Sequence, residues 1–244
     1  MRTFVTPRVP RRAEGSTISI YFKDVVGYVA GTQWISDLIL YFCLNKLMEQ
    51  RTDVIILDSL VQADDYKPPF DDLKTIKYVI QPFTFGKHWV LLLVEIFWSE
   101  APLMAVAHIY EPTMSTTATR KIKDVFERET HSLLERWLQR RYPGESLEKK
   151  VSVWTGPSQP DDDGHSRGFL CILVAYSIVT DFQFPHKILC GASFSEADME
   201  VLRLKLLHLI VNDSTAPLLN HTVRQAQLIE KVTDVMQRTA KNAV

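Results

Sequence analysis

His88-Trp-Val-Leu-Leu-Leu-Val-Glu-Ile-Phe-Trp98 is the stretch from which the fold can be read. It is apolar nearly throughout, and a run without polar alternation reads as a strand covered on both faces. Ser99-Glu-Ala-Pro102 interrupts it, and Leu103 to Tyr110 then resumes strand character, which predicts an antiparallel pair. Working outward, Asp53 to Leu57 and Ile76 to Pro82 read as strands before this pair, and Lys150 to Trp154 as one after it. Thr17 to Phe22 is a further short strand.

Other segments carry the helical period. Trp34, Ile35, Leu38, Ile39, Phe42, Cys43 and Leu47 recur on one face. From Thr116 onward Ile122, Val125, Phe126, Leu133, Trp137 and Leu138 oppose a charged side, until Pro143-Gly144 ends the pattern. Gly168 to Phe182 is apolar nearly all round, as suits a helix driven into the centre of a domain. Ser195 stands three before Asp198, a capping-box-like start for a helix through Val211, and His221 to Thr239 predicts a last amphipathic helix. A helix first, then a sheet with helices behind it, is an α+β arrangement.

The 244 residues, 46% apolar and 10% aromatic, suffice for one substantial core or two small ones. Residues 1–16 read as a flexible basic leader, with Arg2, Arg8, Arg11 and Arg12 and few large apolar side chains, and residues 17–244 as a single domain. Twenty-eight Lys and Arg against 29 Asp and Glu give a net charge of -1, so no long-range field argues for nucleic acid as a partner. No run approaches the roughly 20 apolar residues of a membrane span. Cys43, Cys171 and Cys190 suggest neither a disulfide framework nor a zinc site. No metal or cofactor is expected, and a reducing intracellular setting, nuclear or cytoplasmic, is.

Four positions, in order, have the chemistry of a cysteine protease. His88, at the mouth of the buried strand, is where a rigid element would hold a general base, although by itself a His-Trp pair before an apolar run reads as a partly buried structural histidine. Glu111 follows the adjacent strand and could accept the second ring N–H of His88; by itself it reads as a strand-end glutamate. Gln159, in a loop rich in Gly, Pro and Asp, could donate to an oxyanion. At the turn from Gly164 into the apolar helix, where helix amides would stabilise a thiolate, the residue present is Arg167.

Read together, these segments resemble the papain-like cysteine proteases that cleave SUMO and other ubiquitin-like proteins, a family that includes the adenain-like enzymes. Trp34-Ile-Ser-Asp37 resembles the family's Trp-Leu-x-Asp opening. Val79-Ile-Gln-Pro82 and His88-Trp89-Val-Leu-Leu-Leu93 resemble its Ile-Pro-Ile and His-Trp-x-Leu-x-Val strands, and Ile109-Tyr-Glu111 its Tyr-Asp-Ser turn. Gln159-Pro160 followed by Gly164-His-Ser-Arg-Gly-Phe-Leu-Cys171 resembles Gln-x-Asn-Gly-Tyr-Asp-Cys-Gly-Val-Phe-Val-Cys. The ordered set runs from about Trp34 to Phe182.

The resemblance implies a papain-like fold with a mixed central sheet. It makes His88 the base, Glu111 its orienting acid, Gln159 the oxyanion donor, and Arg167 the occupant of the nucleophile position. Trp34 and Trp89 match the pair that roofs a tunnel for a Gly-Gly tail; their other reading is core packing. The loop from Gln159 to Arg167 is two residues longer than the family spacing, and Cys171 falls one position short of the family's second cysteine. The resemblance therefore implies a pseudoprotease whose partner is a SUMO-type or neddylation-type modifier or its conjugates. Two other readings stand beside it: a cysteine peptidase whose parental form is active, with Arg167 an introduced or allelic change, and a non-enzymatic interaction protein of similar layout.

Overall fold

A computed structural model describes residues 3–5, 20–21, 34–58, 73–85, 88–99, 102–112, 116–154, 165–181 and 194–212. The final helix expected over His221 to Thr239 and most of the loop before Arg167 lie outside them. The chain divides into two compact units, one of residues 1–47, 160–169 and 194–244, the other of residues 48–159 and 170–193.

The second unit is built on a five-stranded sheet. In chain order its strands are β3 (Val54–Ile56), β4 (Tyr78–Phe85), β5 (His88–Phe97), β6 (Leu103–Tyr110) and β7 (Leu147–Trp154), and they lie in that same order across the sheet. β5 pairs antiparallel with β4 and with β6, whereas β3–β4 and β6–β7 are parallel. The strand expected at Lys150 begins three residues earlier, at Leu147, whose side chain is buried. β5 is buried at eight of its ten positions, as an unalternating apolar run requires. Because both faces are dry, its backbone groups must be met by strands on both sides.

One face of this sheet is covered by α2 (Thr116–Val125) and α3 (His131–Arg141). Val90, Leu92 and Val94 meet Ile122, Phe126 and Trp137 there in a single apolar cluster. The sequence pattern reads as one helix, but Phe126–Thr130 between the two is a π-helical turn. Its wider turn retards the helical phase by about a quarter-turn. Leu134 and Leu138, which a continuous 3.6-residue period would carry toward the flank, therefore turn inward with Leu133 and Trp137. Buried Thr130 donates its hydroxyl to Gln81 Oε1 of β4 at 2.9 Å, and His131 Nε2 donates to the Leu147 carbonyl at 2.8 Å. Those two bonds tie the helical layer to the sheet.

The first unit contains β1 (Thr3–Val5), β2 (Ile20–Tyr21), α1 (Asp37–Leu47) and α5 (Glu196–Asn212), with the first residues of α4 (Arg167–Asp181). β1, inside the stretch expected to be a leader, pairs antiparallel with β2. Ser36 Oγ accepts the Ile39 N–H at 3.3 Å and so caps α1, with Asp37 in the first turn and Lys46 in the last complementing the helix dipole. α1 packs against α5. The capping box expected at Ser195 is formed: Ser195 N–H donates to Asp198 Oδ2 at 2.9 Å, and Asp198 N–H to Ser195 Oγ at 3.3 Å. No helix among the described residues is long and apolar enough to cross a membrane.

Two stability measurements check this account. Trp137 is 2% exposed beneath the sheet, so Trp137→Ala is expected to lower the urea-derived unfolding free energy by about 3–5 kcal/mol; a loss under about 1 kcal/mol would be inconsistent with its place in the core. Glu95 is the buried carboxylate of β5, 3.9 Å from Lys77 Nζ, with its Oε2 lacking a hydrogen-bond partner. Burial pushes its pKa up, against the pull of Lys77 and the Tyr78 hydroxyl. A carboxyl whose pKa is raised by folding stabilises the fold when protonated, and that contribution is lost as pH rises through the folded-state pKa. Glu95→Gln is accordingly expected to raise the melting temperature at pH 7 and to leave it unchanged near pH 4; a lowered value at pH 7 would contradict the sign.

Candidate functional site

At the head of α4, Ser166 is fully buried and Arg167 is the first helical residue. The apolar side chains that follow, Phe169 and Leu170, are fully buried. The Arg167 guanidinium lies over the indole of Trp34, with Cζ 5.7 Å from the ring centroid. His165 meets the same indole edge-on, centroids 6.4 Å apart. Trp34, three residues before α1, is half-buried. The residue expected at the nucleophile position and one tryptophan of the expected tail tunnel are therefore direct neighbours.

A second cation holds the same turn from below. Arg203, on α5, donates from Nη2 to Ser166 Oγ at 3.2 Å and sets its Cζ 4.3 Å over the ring of Phe169. Nothing in the local sequence of α5 marks Arg203 for this position, since the contact spans 37 residues. His165 was equally unmarked, standing in a turn whose neighbours are Gly164 and Ser166.

In the second unit His88 is the first residue of β5, paired in register with Phe85, and its side chain is half-buried. Glu111 directly follows β6 and is 4% exposed, so it is a buried carboxylate and not the exposed strand-end glutamate of the simplest reading. Leu91 pairs with Tyr110. One further step in that register sets position 111 level with Val90, two residues along from His88 and on its side of the sheet. Trp89, on the opposite side, is 5% exposed. Gln159 lies outside the described residues, as do Asp161, Asp162 and Asp163 beside it.

The remaining chemistry near Glu111 is inert or open to solvent. Tyr110 stacks obliquely on Trp154 at 5.3 Å, and burial pushes its hydroxyl pKa well up, with Cys171 and Glu111 adding to the effect. Cys171 is fully buried, and its thiol is held well above the usual range, first by desolvation and then by Glu111. A thiol in that state stays protonated and is a poor nucleophile. Cys43 is buried in α1, and burial likewise raises its thiol pKa. Glu111, Thr116, Arg120, Lys123, Val153 and Trp154 border a cavity of about 420 Å³ at the end of β6. Among the described residues no cluster of His, Cys, Asp and Glu could hold a metal ion.

The sequence matches no protein-family model, and it matches no curated protein. Solved structures do match. The SUMO protease Ulp1 with its catalytic cysteine oxidised to a sulfenic acid superposes at a TM-score of 0.55 and 13% identity, over 84% of this chain and 89% of that one. A de-sumoylating protease gives 0.52 and 17%, over 93% of each chain. The C-terminal Ulp1 protease domain in complex with Smt3, the yeast orthologue of SUMO, gives 0.50 and 15%, over 83% and 87%. At such identities the likeness is one of fold: this chain has the α+β, papain-like fold of the Ulp1 protease domain.

Proposed function

We propose that this chain is a pseudoprotease that binds the Gly-Gly tail of a SUMO-type or neddylation-type modifier without cleaving beyond it. The observation that carries the reading is Arg167 at the first position of α4, with its guanidinium on Trp34, in a chain of Ulp1 fold. On this reading His88 and Glu111 keep the base and acid positions, Gln159 the oxyanion position, and Trp34 and Trp89 the walls that admit only glycine. The Ulp1 domain solved with Smt3 is the parallel for the partner. Such a protein would act inside the cell, in the nucleus or cytoplasm, where modifier and conjugates are found.

The chemistry of hydrolysis supports the loss of activity. A guanidinium stays protonated and has no lone pair to offer a carbonyl carbon. Cys171 cannot substitute, because its thiol is buried and protonated. The Ser166 hydroxyl is buried and accepts from Arg203, a group that can take no proton from it.

The test is intact-mass analysis with a SUMO vinyl-sulfone probe, alongside a binding titration with SUMO, ubiquitin and a neddylation-type modifier. The chain should bind at least one modifier and form no adduct. A mass-shifted adduct, on Cys171 or elsewhere, or hydrolysis of a tail fusion would overturn the reading. An Arg167→Cys variant is expected to form the adduct at the head of α4, where helix amides favour a thiolate; failure to react would remove His88 and Glu111 from the catalytic assignment.

A further inference from the structure

We propose that the groove between α2 and the edge strand β7 is a docking site for a phosphotyrosine side chain of a partner protein. Every residue that borders the groove lies in the second unit, and the proposal does not rest on the modifier-binding reading above.

The groove has two unlike walls, with a cavity of about 420 Å³ between them. On α2, Thr116, Thr119, Arg120 and Lys123 recur at intervals of three and four residues, so they share one face as a stripe of two hydroxyls and two cations. The Arg120 and Lys123 side chains are exposed and form no ion pair or hydrogen bond among the described residues. The helix as a whole carries Arg120, Lys121 and Lys123 against Asp124 alone. The other wall is apolar: Ile109 of β6 with Val153 and Trp154 of β7. Val153 pairs in register with Ile109, and at 57% exposure it is the one exposed large hydrophobic side chain among the described residues. Its face of β7 is the one on which Val151 packs against the core beneath the helices, so it looks toward α2.

Two cations one helical turn apart call for more negative charge than a single carboxylate brings. A phosphate monoester carries nearly two charges at pH 7 and three acceptor oxygens, which the guanidinium, the ammonium and the threonine hydroxyls match. The apolar wall calls for a stem long enough to cover it. A tyrosine ring lying along Ile109 and Val153 meets that demand, and the single methylene of phosphoserine does not. A carboxylate at Glu111, where β6 ends, works against an anion on the sheet side and so directs the phosphate to α2. The groove is also open, since Thr116, Arg120, Lys123 and Val153 are all exposed. A free small molecule would leave much of its surface in water there, whereas sites for small molecules bury most of the ligand. A side chain carried on a peptide gains further contacts along β7, where exposed Lys149 stands on the same face as Val153.

The experiment titrates the intact chain into a short fluorescein-labelled peptide with phosphotyrosine between two leucines, and follows anisotropy. Matching peptides carry tyrosine, glutamate or phosphoserine at the centre, and phenyl phosphate and inorganic phosphate serve as unlabelled competitors. The phosphotyrosine peptide is expected to bind about tenfold tighter or more than each of the other three, the scale of charge-assisted hydrogen bonds. Arg120→Gln combined with Lys123→Gln should weaken it by about tenfold or more, and Val153→Ser by about threefold through lost apolar contact. The comparison of peptides on the unaltered chain needs no variant, and circular dichroism of each variant should match that of the unaltered chain. Absence of binding, equal affinity for the tyrosine peptide, or unchanged affinity in the Arg120 and Lys123 double variant overturns the proposal. Equal affinity for the glutamate or phosphoserine peptide also overturns it, since the groove would then read charge alone. Phenyl phosphate competing at the peptide's own affinity would make the ligand a small phosphate ester and sink the partner assignment. Inorganic phosphate competing equally well would mean an adventitious ion only.

Discussion

Eight of the ten residues of β5 have no solvent face, and a strand so placed must find hydrogen-bond partners along both edges and apolar cover on both sides. The second unit follows from that demand. β4 and β6 supply the edges as antiparallel neighbours, and the connections from them leave β3 and β7 to add in parallel outside. β5 carries an ionisable group in its buried interior, Glu95, whose pKa is pushed up by desolvation. The same constraint positions chemistry, because the mouth of β5 and the end of β6 meet at one rim. His88 and Glu111 occupy those two ends.

The helical layer is adapted to the sheet by a local departure from regularity. A continuous helix from Thr116 to Arg141 would drift off the sheet as its 3.6-residue period accumulated. The π turn at Phe126–Thr130 resets the phase, and its last residue, Thr130, spends its hydroxyl on the buried amide oxygen of Gln81. Without that bond a polar oxygen of β4 would be sealed beneath the helices unpaired, at a cost of about 1–3 kcal/mol.

The first unit solves an electrostatic problem instead. Two guanidinium groups stand at the N-terminal turn of α4, the end where a helix dipole disfavours positive charge. Each meets an aromatic face, Arg167 that of Trp34 and Arg203 that of Phe169. Exposed cation–π contacts contribute about 0.5–1 kcal/mol, comparable with the unfavourable dipole, so the turn tolerates two cations.

The strands and most helices were legible in the sequence because their cause is local. Periodicity reports which side of an element is dry, and the runs at His88 to Trp98, Leu103 to Tyr110 and Gly168 to Phe182 reported it without ambiguity. The ordered motifs around Trp34, His88, Glu111 and Arg167 carried the resemblance whose fold the solved structures share. What the sequence could not contain was phase and partnership. The π turn leaves the hydrophobic pattern unbroken, so one long helix was the natural reading of two. The burial of Glu111 depends on what closes over the end of β6, and the contacts of Arg203 with Ser166 and Phe169 join residues with no shared motif. Sequence determined which residues must be inside and which chemistry stands at the head of α4. Tertiary structure decided which groups that chemistry touches, because contacts between distant segments follow from packing and not from local pattern.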